Sequence, residues 1–383
     1  MSAADAYRVE VAGDIASIDA VQWDRLLPDE QPFISHAFLS LLEQHNCVGS
    51  EAGWLPQHLV ARDRDNSIVA AMPLYAKDHS WGEFVFDFAW AQAYSQAGLE
   101  YYPKLVSMAP FTPVSGARLL AAPGHEKAGT AMLRFARDLA KDSGASSIHV
   151  LYPLATELPA LEDEAMMLRE DVRFMWQNHG YRDFDDFLAT FSASKRKKLR
   201  RERRRIKEQG IGVTTVPAAS LSPGEWQAVY DLCSATFYRR GHAPYLSLEF
   251  FCELAGQLQE QMLVNLARIN EQLVGAAILF RDNNTLYGRY WGGIEGLDCL
   301  HFETCYYRGI DYCIEHQLQN FDPGTQGEHK LRRGFAPTTT WSAHWIADPR
   351  FALAIANYLR QEREHVARYA AELQQHLPFR RDI

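Results

Sequence analysis

Apolar and polar residues alternate along several short stretches of the first half of the chain, a pattern typical of half-buried β-strands. These predicted strands lie at residues 7–11, 58–62, 67–74, 84–88, 104–108 and 147–151. Apolar residues spaced three and four apart predict helices at residues 16–26, 36–45 and 126–141. The first half therefore reads as helices, a meander of strands, one amphipathic helix and a closing strand.

The second half shows the same order of elements without a clear sequence repeat. Its predicted strands lie at residues 172–177, 262–269, 273–281, 286–291 and 338–346. Its predicted helices lie at residues 184–191, 195–209, 223–237, 247–259, 302–315 and 351–376. The pattern predicts a mixed α/β fold in two halves, followed by a long, charged C-terminal helix.

Size and composition agree with two globular domains. The chain has 383 residues, of which 47% are hydrophobic and 12% aromatic, more than a disordered chain contains. Met1–Asp5 lacks the features of a signal peptide, and no run of about 18 apolar residues is present. These features predict a cytoplasmic protein without a transmembrane segment.

Charge is distributed very unevenly. The formal net charge is −9, yet Lys195–Lys207 contains ten basic residues and one acid. Such a helix repels itself, so we expect an anion to offset it: a polyphosphate, an RNA backbone, anionic lipid or the chain's own acidic surface. The alternative is a solvated helix paired to nearby aspartates. The predicted polyanion-binding residues are Lys195, Arg196, Lys197, Arg200, Arg201 and Arg204.

The segment Asp322–Phe335 is the strongest candidate for ligand binding. It follows a short predicted strand and combines three glycines with Glu, His, Lys and two Arg within six residues. Glycines expose backbone N–H groups, and the cations beside them bind phosphate or carboxylate. The segment predicts His329 as a catalytic residue and Lys330 and Arg332 as substrate-binding residues. A solvated basic loop is the alternative.

Other candidate residues lie in aromatic surroundings. Glu303 is either a general base or a helix-terminal charge. The predicted substrate-binding residues are Tyr306 on the same helix, Arg289 on a strand, Arg239, Arg240 and Tyr245 in a turn, and Lys104 in the first half. Each of these aromatic segments is alternatively explained by core or surface packing.

Familiar catalytic motifs are absent from the sequence, including G-x-S-x-G, Walker A, H-E-x-x-H and G-x-G-x-x-G. The six cysteines form no C-x-x-C pair, and their spacing fits no zinc pattern, so reduced cysteines and no metal are predicted.

Several of these segments together resemble the FemAB-like proteins of the GNAT acyltransferase superfamily, a bacterial family of peptidoglycan biosynthesis or recognition. The resemblance covers nearly the whole chain. Its most specific pieces are residues 79–86, 101–105, 110–113, 196–204, 302–310 and 326–335. It implies two tandem GNAT-like domains, at residues 1–171 and 172–347, with a C-terminal helix at 348–383.

The resemblance also implies a function. Fem transferases move an amino acid from aminoacyl-tRNA to an amine on a cell-wall precursor, and basic and aromatic residues hold the precursor's diphosphate. By position, Arg239, Arg240, Tyr245 and Lys330 are the residues carried over. GNAT enzymes bind acetyl-CoA at a glycine-bearing turn, which here would be residues 292–298. Two acids in that turn disfavour acyl-CoA as the donor.

Two hypotheses of different class follow. In the first, the protein is an acyltransferase or aminoacyltransferase that forms an amide bond, with aminoacyl-tRNA or acyl-CoA as co-substrate and a cell-wall-precursor-like or small-molecule acceptor. In the second, it is a non-catalytic module that binds peptidoglycan-like or phosphorylated ligands. No unmistakable base distinguishes the two.

Overall fold

The computed structural model describes residues 7–28, 31–325 and 327–380. Met1–Asp5, and Gln326 of the predicted ligand-binding segment Asp322–Phe335, lie outside these ranges. The chain divides into two units. Unit 1 takes its residues from Met1–Asp171 and Thr339–Arg368, and unit 2 from Val172–Thr338 and Tyr369–Ile383.

Unit 1 contains two sheets and a long amphipathic helix. Its strands are β1 (Arg8–Ala12), β2 (Trp54–Pro56), β3 (His58–Arg62), β4 (Ile68–Met72), β5 (Tyr75–Lys77), β6 (Lys104–Ser107), β7 (Leu120–Ala121) and β8 (Ser147–Leu151). Its helices are α1 (Ala20–Asp24), α2 (His36–Gln44), α3 (Phe88–Gln96), α4 (Lys127–Ser143) and α5 (Leu158–Asp163). The buried face of α4 packs into a core with residues of β3, β4 and β8.

Unit 2 has one sheet flanked by helices. Its elements in chain order are β9 (Met167–Gln177), α6 (Phe184–Ala189), α7 (Ala193–Glu208), β10 (Gly212–Pro217), α8 (Pro223–Tyr238), α9 (Leu248–Leu258), β11 (Met262–Ile269), β12 (Gln272–Arg281), β13 (Thr285–Gly293), α10 (Leu300–Phe302), α11 (Arg308–Glu315) and β14 (Asn320–Asp322). A π-helical turn, Glu303–Tyr307, joins α10 to α11. Strand β9 begins in unit 1 with Met167–Asp171, and the last elements, β15 (Ala336–Ile346) and α12 (Pro349–Gln375), likewise contribute residues to both units.

Each unit has one parallel pair of strands in an otherwise antiparallel sheet. In unit 1 the strand orders are β1-β3-β4-β7 and β2-β5-β6-β8-β15, with β6 parallel to β8. In unit 2 the order is β10-β11-β12-β13-β14-β9, with β13 parallel to β14. The predicted α/β class and the long C-terminal helix are confirmed.

The structure differs from the sequence-based prediction in several places, and it adds elements that were not predicted, among them α3 and β10. Residues 84–88, predicted as a strand, form a loop that leads into α3. The predicted helix at 302–315 begins at Leu300 and contains the π-helical turn. The predicted domain boundary at residue 347 differs from the observed division, because Ser342–Ile346 pairs with Ser147–Leu151 of unit 1.

Among the described residues, no helix combines the length and apolar character needed to span a bilayer.

Candidate functional site

The parallel strands β13 and β14 of unit 2 frame the first part of the site. They pair only between Thr285–Tyr287 and Asn320–Asp322, after which β14 ends and β13 continues. The chain leaves β14 through Gly324 and Gly327, whose φ angles of +89° and +115° favour glycine. A 3₁₀ turn, Glu328–Arg333, follows. The glycines therefore direct the charged segment back toward the sheet.

Lys330 is built into this loop. Its side chain is buried, and Nζ donates to the carbonyl oxygens of Gly324 at 2.7 Å and Thr325 at 3.1 Å. Burial lowers its pKa to about 8, although Asp322 opposes the shift. The sequence predicts that this ammonium binds substrate. In the structure, two of its three N–H groups hold the loop backbone, so its observed contacts are structural.

His329 lies on the exposed side of the same turn. Its Nε2 is 2.9 Å from the hydroxyl oxygen of Tyr306, the π-helical residue that was predicted to bind substrate. Burial, and then the charges of Arg333 and Lys330, lower the pKa of His329, so the ring is neutral at pH 7. A Cβ at Gly327 would lie 2.3 Å from the His329 ring. Glycine at that position therefore permits this orientation of the imidazole.

A second imidazole, His301, completes the cluster. Its ring lies 5.1 Å from Tyr306, 6.1 Å from His329 and 5.2 Å from Trp291, measured between centroids. Burial lowers the pKa of His301 to about 4, with further contributions from His329, Lys330, Arg333 and Arg240. The structure thus brings two neutral imidazoles and a phenol together among positive charges. His301 was not among the site residues predicted from the sequence.

Arg333, which the sequence did not single out, fixes the loop to two helices. Its guanidinium donates to the hydroxyl of Tyr307 at 3.0 Å, the carbonyl of His329 at 2.9 Å and the carboxylate of Glu202 at 2.9 Å. Its Cζ also lies 3.3 Å from the ring centroid of Phe302. Tyr307 in turn donates to Glu202. This buried network positions the backbone that carries His329.

Glu303, the predicted base, is engaged by helix α7. Its Oε1 accepts from Arg203 Nη2 at 2.9 Å, and the same guanidinium contacts Asp311 at 2.6 Å. Burial raises the pKa of Glu303, and Arg203 opposes the shift. Glu303 and His329 are therefore held by different partners, Arg203 and Tyr306 respectively.

Of the remaining predicted binding residues, Arg240 contributes to the lowered pKa of His301. Arg239 and Arg240 are exposed, and Tyr245 is half-buried against Phe237, 5.7 Å away between ring centroids. Arg289 is half-buried on β13, and its charge contributes to the lowered pKa of Lys330. Arg332 is exposed. The acidic turn after β13 is partly neutralised, because Glu295 lies 3.6 Å from Arg239 and Asp298 lies 2.9 Å from Arg205.

Helix α7 exposes most of the predicted polyanion-binding residues. Leu199, Glu202 and Ile206 form its buried face. The side chains of Lys197, Arg200, Arg201 and Arg204 are exposed, whereas Lys195 and Arg196 are half-buried. Arg200 pairs with Asp185 at 2.8 Å and Arg204 with Glu208 at 3.5 Å.

Lys104 of unit 1 does not fit its predicted role. Its side chain has no solvent-accessible surface, and its ammonium donates to Ser80, Glu83 and Asp87. Three acceptors use all three N–H groups, so none is left for a substrate phosphate.

The described residues contain no group of His, Cys, Asp and Glu side chains arranged to hold a metal ion. Cys305 is half-buried, and burial raises the pKa of its thiol well above the usual range, which disfavours it as a nucleophile.

The sequence profile of the FemAB-like family, described as peptidoglycan biosynthesis/recognition, matches residues 14–381. The chain belongs to the FemAB-like family. No curated protein matches the sequence significantly.

Solved structures with the same fold extend over almost the whole of this FemAB-like protein. The C-terminal DUF2156 domain of an Agrobacterium fabrum protein, assigned as a lysylphosphatidylglycerol synthetase, is 9% identical with a TM-score of 0.54, covering 89% of this chain and 96% of that one. FemX is 12% identical with a TM-score of 0.54, covering 88% and 98%. A conserved protein of unknown function from Bacteroides thetaiotaomicron is 12% identical with a TM-score of 0.50, covering 89% and 100%.

At these identities the structural similarity establishes the fold alone. Together with family membership it confirms the predicted fold class, a mixed α/β fold of the FemAB-like family with a long C-terminal helix.

Proposed function

We propose that this FemAB-like protein is an acyltransferase or aminoacyltransferase that forms an amide bond, with His329 as the general base. The observation that carries the proposal is the neutral, exposed imidazole of His329, held by the Tyr306 hydroxyl at 2.9 Å. An amine nucleophile must lose a proton as it attacks a carbonyl, and a neutral imidazole within reach accepts that proton. Positive charge at Arg240, Arg289 and Arg332 suits an anionic group on the substrate.

Membership in a family of peptidoglycan biosynthesis/recognition supports a cell-wall-precursor-like acceptor. The exposed cations of α7 support a polyanionic donor, for which aminoacyl-tRNA is the proposed identity. Phosphate groups would contact the helix, and the aminoacyl ester would supply the reactive carbonyl.

The partly neutralised turn after β13 favours a second candidate, an ordinary acyl-CoA-dependent N-acyltransferase. Its acids, Glu295 and Asp298, each lie near an arginine. They repel a pyrophosphate less than the sequence alone indicates.

The test is a transfer assay with the full chain, an amine-bearing UDP-linked cell-wall precursor as acceptor, and either a mixture of radiolabelled aminoacyl-tRNAs or acetyl-CoA as donor. We expect label from aminoacyl-tRNA in the acceptor. His329→Asn should lower the rate about 10²-fold or more, the contribution of one general base. His316→Asn is the matched control, because His316 is exposed and stacks on Tyr312 instead.

Glu303→Gln is run in parallel as the competing base. A rate that falls with Glu303→Gln and not with His329→Asn would reassign the base. Transfer from acetyl-CoA alone would select the second candidate. Precursor binding without transfer from either donor would favour the non-catalytic module.

A further inference from the structure

Unit 1 contains a cluster of buried charges that the proposed site in unit 2 does not use. Lys104 Nζ donates to Ser80 at 2.8 Å, to Glu83 at 2.8 Å and to Asp87 at 2.5 Å. Burial raises the pKa of Glu83 to about 7. Burial also acts to raise the pKa of Asp87, but the Lys104 charge, His149 and the hydrogen bonds from Lys104 and Ser80 together lower it to about 2. Buried ion clusters are rarely more stabilising than apolar residues of the same size, so this cluster calls for a functional explanation.

A chain of hydrogen bonds extends from this cluster through two strands. The Tyr101 hydroxyl donates to Asp87 at 2.7 Å and lies 3.3 Å from His149 Nε2. The Nδ1 atoms of His149 and His344 are 2.7 Å apart. His344 Nε2 lies 2.8 Å from Ser342 Oγ. His149 and His344 face each other across the β8–β15 pair.

Neighbouring serines determine the direction of these bonds. Ser146 Oγ donates to the carbonyl of Tyr101, so its oxygen accepts from Ser147 Oγ at 3.1 Å. Ser147 Oγ therefore accepts from His149 Nε2 at 2.7 Å. Because Tyr101 already donates its proton to Asp87, it too can only accept from that nitrogen.

With its proton on Nε2, His149 must accept at Nδ1. His344 consequently carries its proton on Nδ1, and its Nε2 lone pair accepts the proton of the Ser342 hydroxyl. The two serines thus have opposite roles: Ser342 gives its proton to an imidazole, whereas Ser147 receives one. Burial holds the pKa of His344 well below its usual range, so this lone pair stays available at neutral pH.

Ser342 also lines a cavity of about 100 Å³. Tyr152, Thr340 and Trp341 form part of its wall, and Arg169 and Glu362 lie at its charged side. A water occupies about 30 Å³ of liquid volume, so the cavity accommodates a group of a few heavy atoms. Ser147 is not among the lining residues.

We propose that Ser342 is a nucleophile that accepts a small acyl group from an activated ester or thioester bound in this cavity. Ser342 Oγ bonds to the carbonyl carbon while its proton passes to His344 Nε2. The bond from the carbonyl carbon to the leaving oxygen or sulfur then breaks, and that atom takes the proton from His344. Attack on the resulting Ser342 ester by water or an amine releases the acyl group and restores the hydroxyl.

The surrounding residues fit these roles. His149 accepts from His344 Nδ1 and so stabilises the transient imidazolium, the function of the third member in a nucleophile–base–orienting-group arrangement. The Arg169 guanidinium, which pairs with Glu362 at 2.8 Å, lies on the cavity wall and supplies N–H donors for the oxyanion. Tyr101 and Asp87 are positioning residues, because they act through His149.

The primary test uses the wild-type full chain and p-nitrophenyl acetate. We expect a burst of about one p-nitrophenolate per chain and an acetyl group on the tryptic peptide spanning residues 334–350, in which Ser342 is the only serine. Ser147 lies in a different tryptic peptide, residues 142–169. Absence of the acetyl group from residues 334–350, or equal acetylation of both peptides, would overturn the proposal.

Two variants separate nucleophile from positioning residue. Ser342→Ala should abolish the burst, whereas Tyr101→Phe should retain its amplitude and lower its rate about tenfold. A purely structural network predicts no burst in any of the three proteins. Should either variant fail to fold, the wild-type peptide map still decides the question.

Discussion

At the scale of single residues, two adjacent arginines in the charged loop have opposite environments. Arg332 is exposed, whereas Arg333 is buried and bonds to Tyr307, Glu202 and the His329 carbonyl. Their sequence neighbourhood is almost identical, so only the orientation of the 3₁₀ turn separates an arginine available to a ligand from one that supports the site.

Replacing Arg333 tests this assignment. Arg333→Met leaves the Glu202 carboxylate buried and without its closest cationic partner, which should lower the free energy of unfolding by about 3–5 kcal/mol. Arg332→Met, the matched control, should change it by no more than about 0.5 kcal/mol. Urea unfolding measures both.

The double variant Glu202→Gln/Arg333→Met provides the check, because it removes both charges of the pair. It should be less destabilised than the sum of its single variants. Additive losses would contradict a direct interaction between the two side chains.

Two lysines show what the sequence does not reveal about a candidate binding residue, namely the partners of its side chain. Lys104 and Lys330 stand beside aromatic residues or glycines and were both predicted to bind substrate. Both are buried, with their N–H groups held by carboxylates and a hydroxyl in one case and by backbone carbonyls in the other. The sequence shows that each position carries a positive charge. It does not show the hydrogen-bond acceptors, which for Lys104 come from segments many residues away and for Lys330 from the folded backbone.

At the scale of elements, α7 is a helix with a definite inner and outer face. Leu199, Glu202 and Ile206 are buried, and Lys197, Arg201 and Arg204 lie on the opposite side. Arg203, which precedes Arg204, instead forms ion pairs with Glu303 and Asp311. The helix is therefore not uniformly cationic, and only its outer face is available to a polyanion.

We predict that this outer face binds RNA. Lys197→Glu/Arg201→Glu should weaken binding of tRNA in a mobility-shift assay. The magnitude of the negative slope of log affinity against log salt should also decrease by about 1–2, because two phosphate contacts are lost. Arg360→Glu/Arg368→Glu on α12 changes the net charge equally and also affects exposed residues. Equal weakening by both pairs would indicate a general charge effect and contradict a specific surface.

The sequence predicted most elements because amphipathic patterns mark them. The helices predicted at 126–141 and 195–209 correspond to Lys127–Ser143 and Ala193–Glu208. The strand predicted at 84–88 was wrong because Glu83 and Asp87, polar residues within an alternating pattern, are buried as partners of Lys104. The π-helical turn has no comparable pattern, and it places Tyr306 beside His329.

At the scale of the whole molecule, both units bury neutral imidazoles. Burial lowers the pKa of His149 to about 3 and of His301 to about 4, and that of His344 well below its usual range. A histidine in an unfolded chain has a pKa near 6.5. Each of these residues therefore takes up a proton on unfolding between about pH 4 and 6.5, which lowers stability as the pH falls.

His301 isolates one such contribution. Because its pKa is lower in the folded state, its neutral form contributes fully to stability above about pH 6.5, and that contribution is lost as the pH falls toward 4. Near pH 5 the unfolded chain binds almost one more proton at His301 than the folded chain does. One proton corresponds to about 1.4 kcal/mol per pH unit. His301→Asn should therefore reduce the slope of unfolding free energy against pH by about that amount between pH 4.5 and 6.

Glu83, whose raised pKa gives the opposite slope over about pH 4.5–7, is present in both proteins and cancels in the comparison. Urea unfolding at four pH values measures the two slopes. Parallel lines for wild type and variant would show that His301 is protonated equally in both states, and would remove the basis for treating the imidazole cluster beside His329 as neutral.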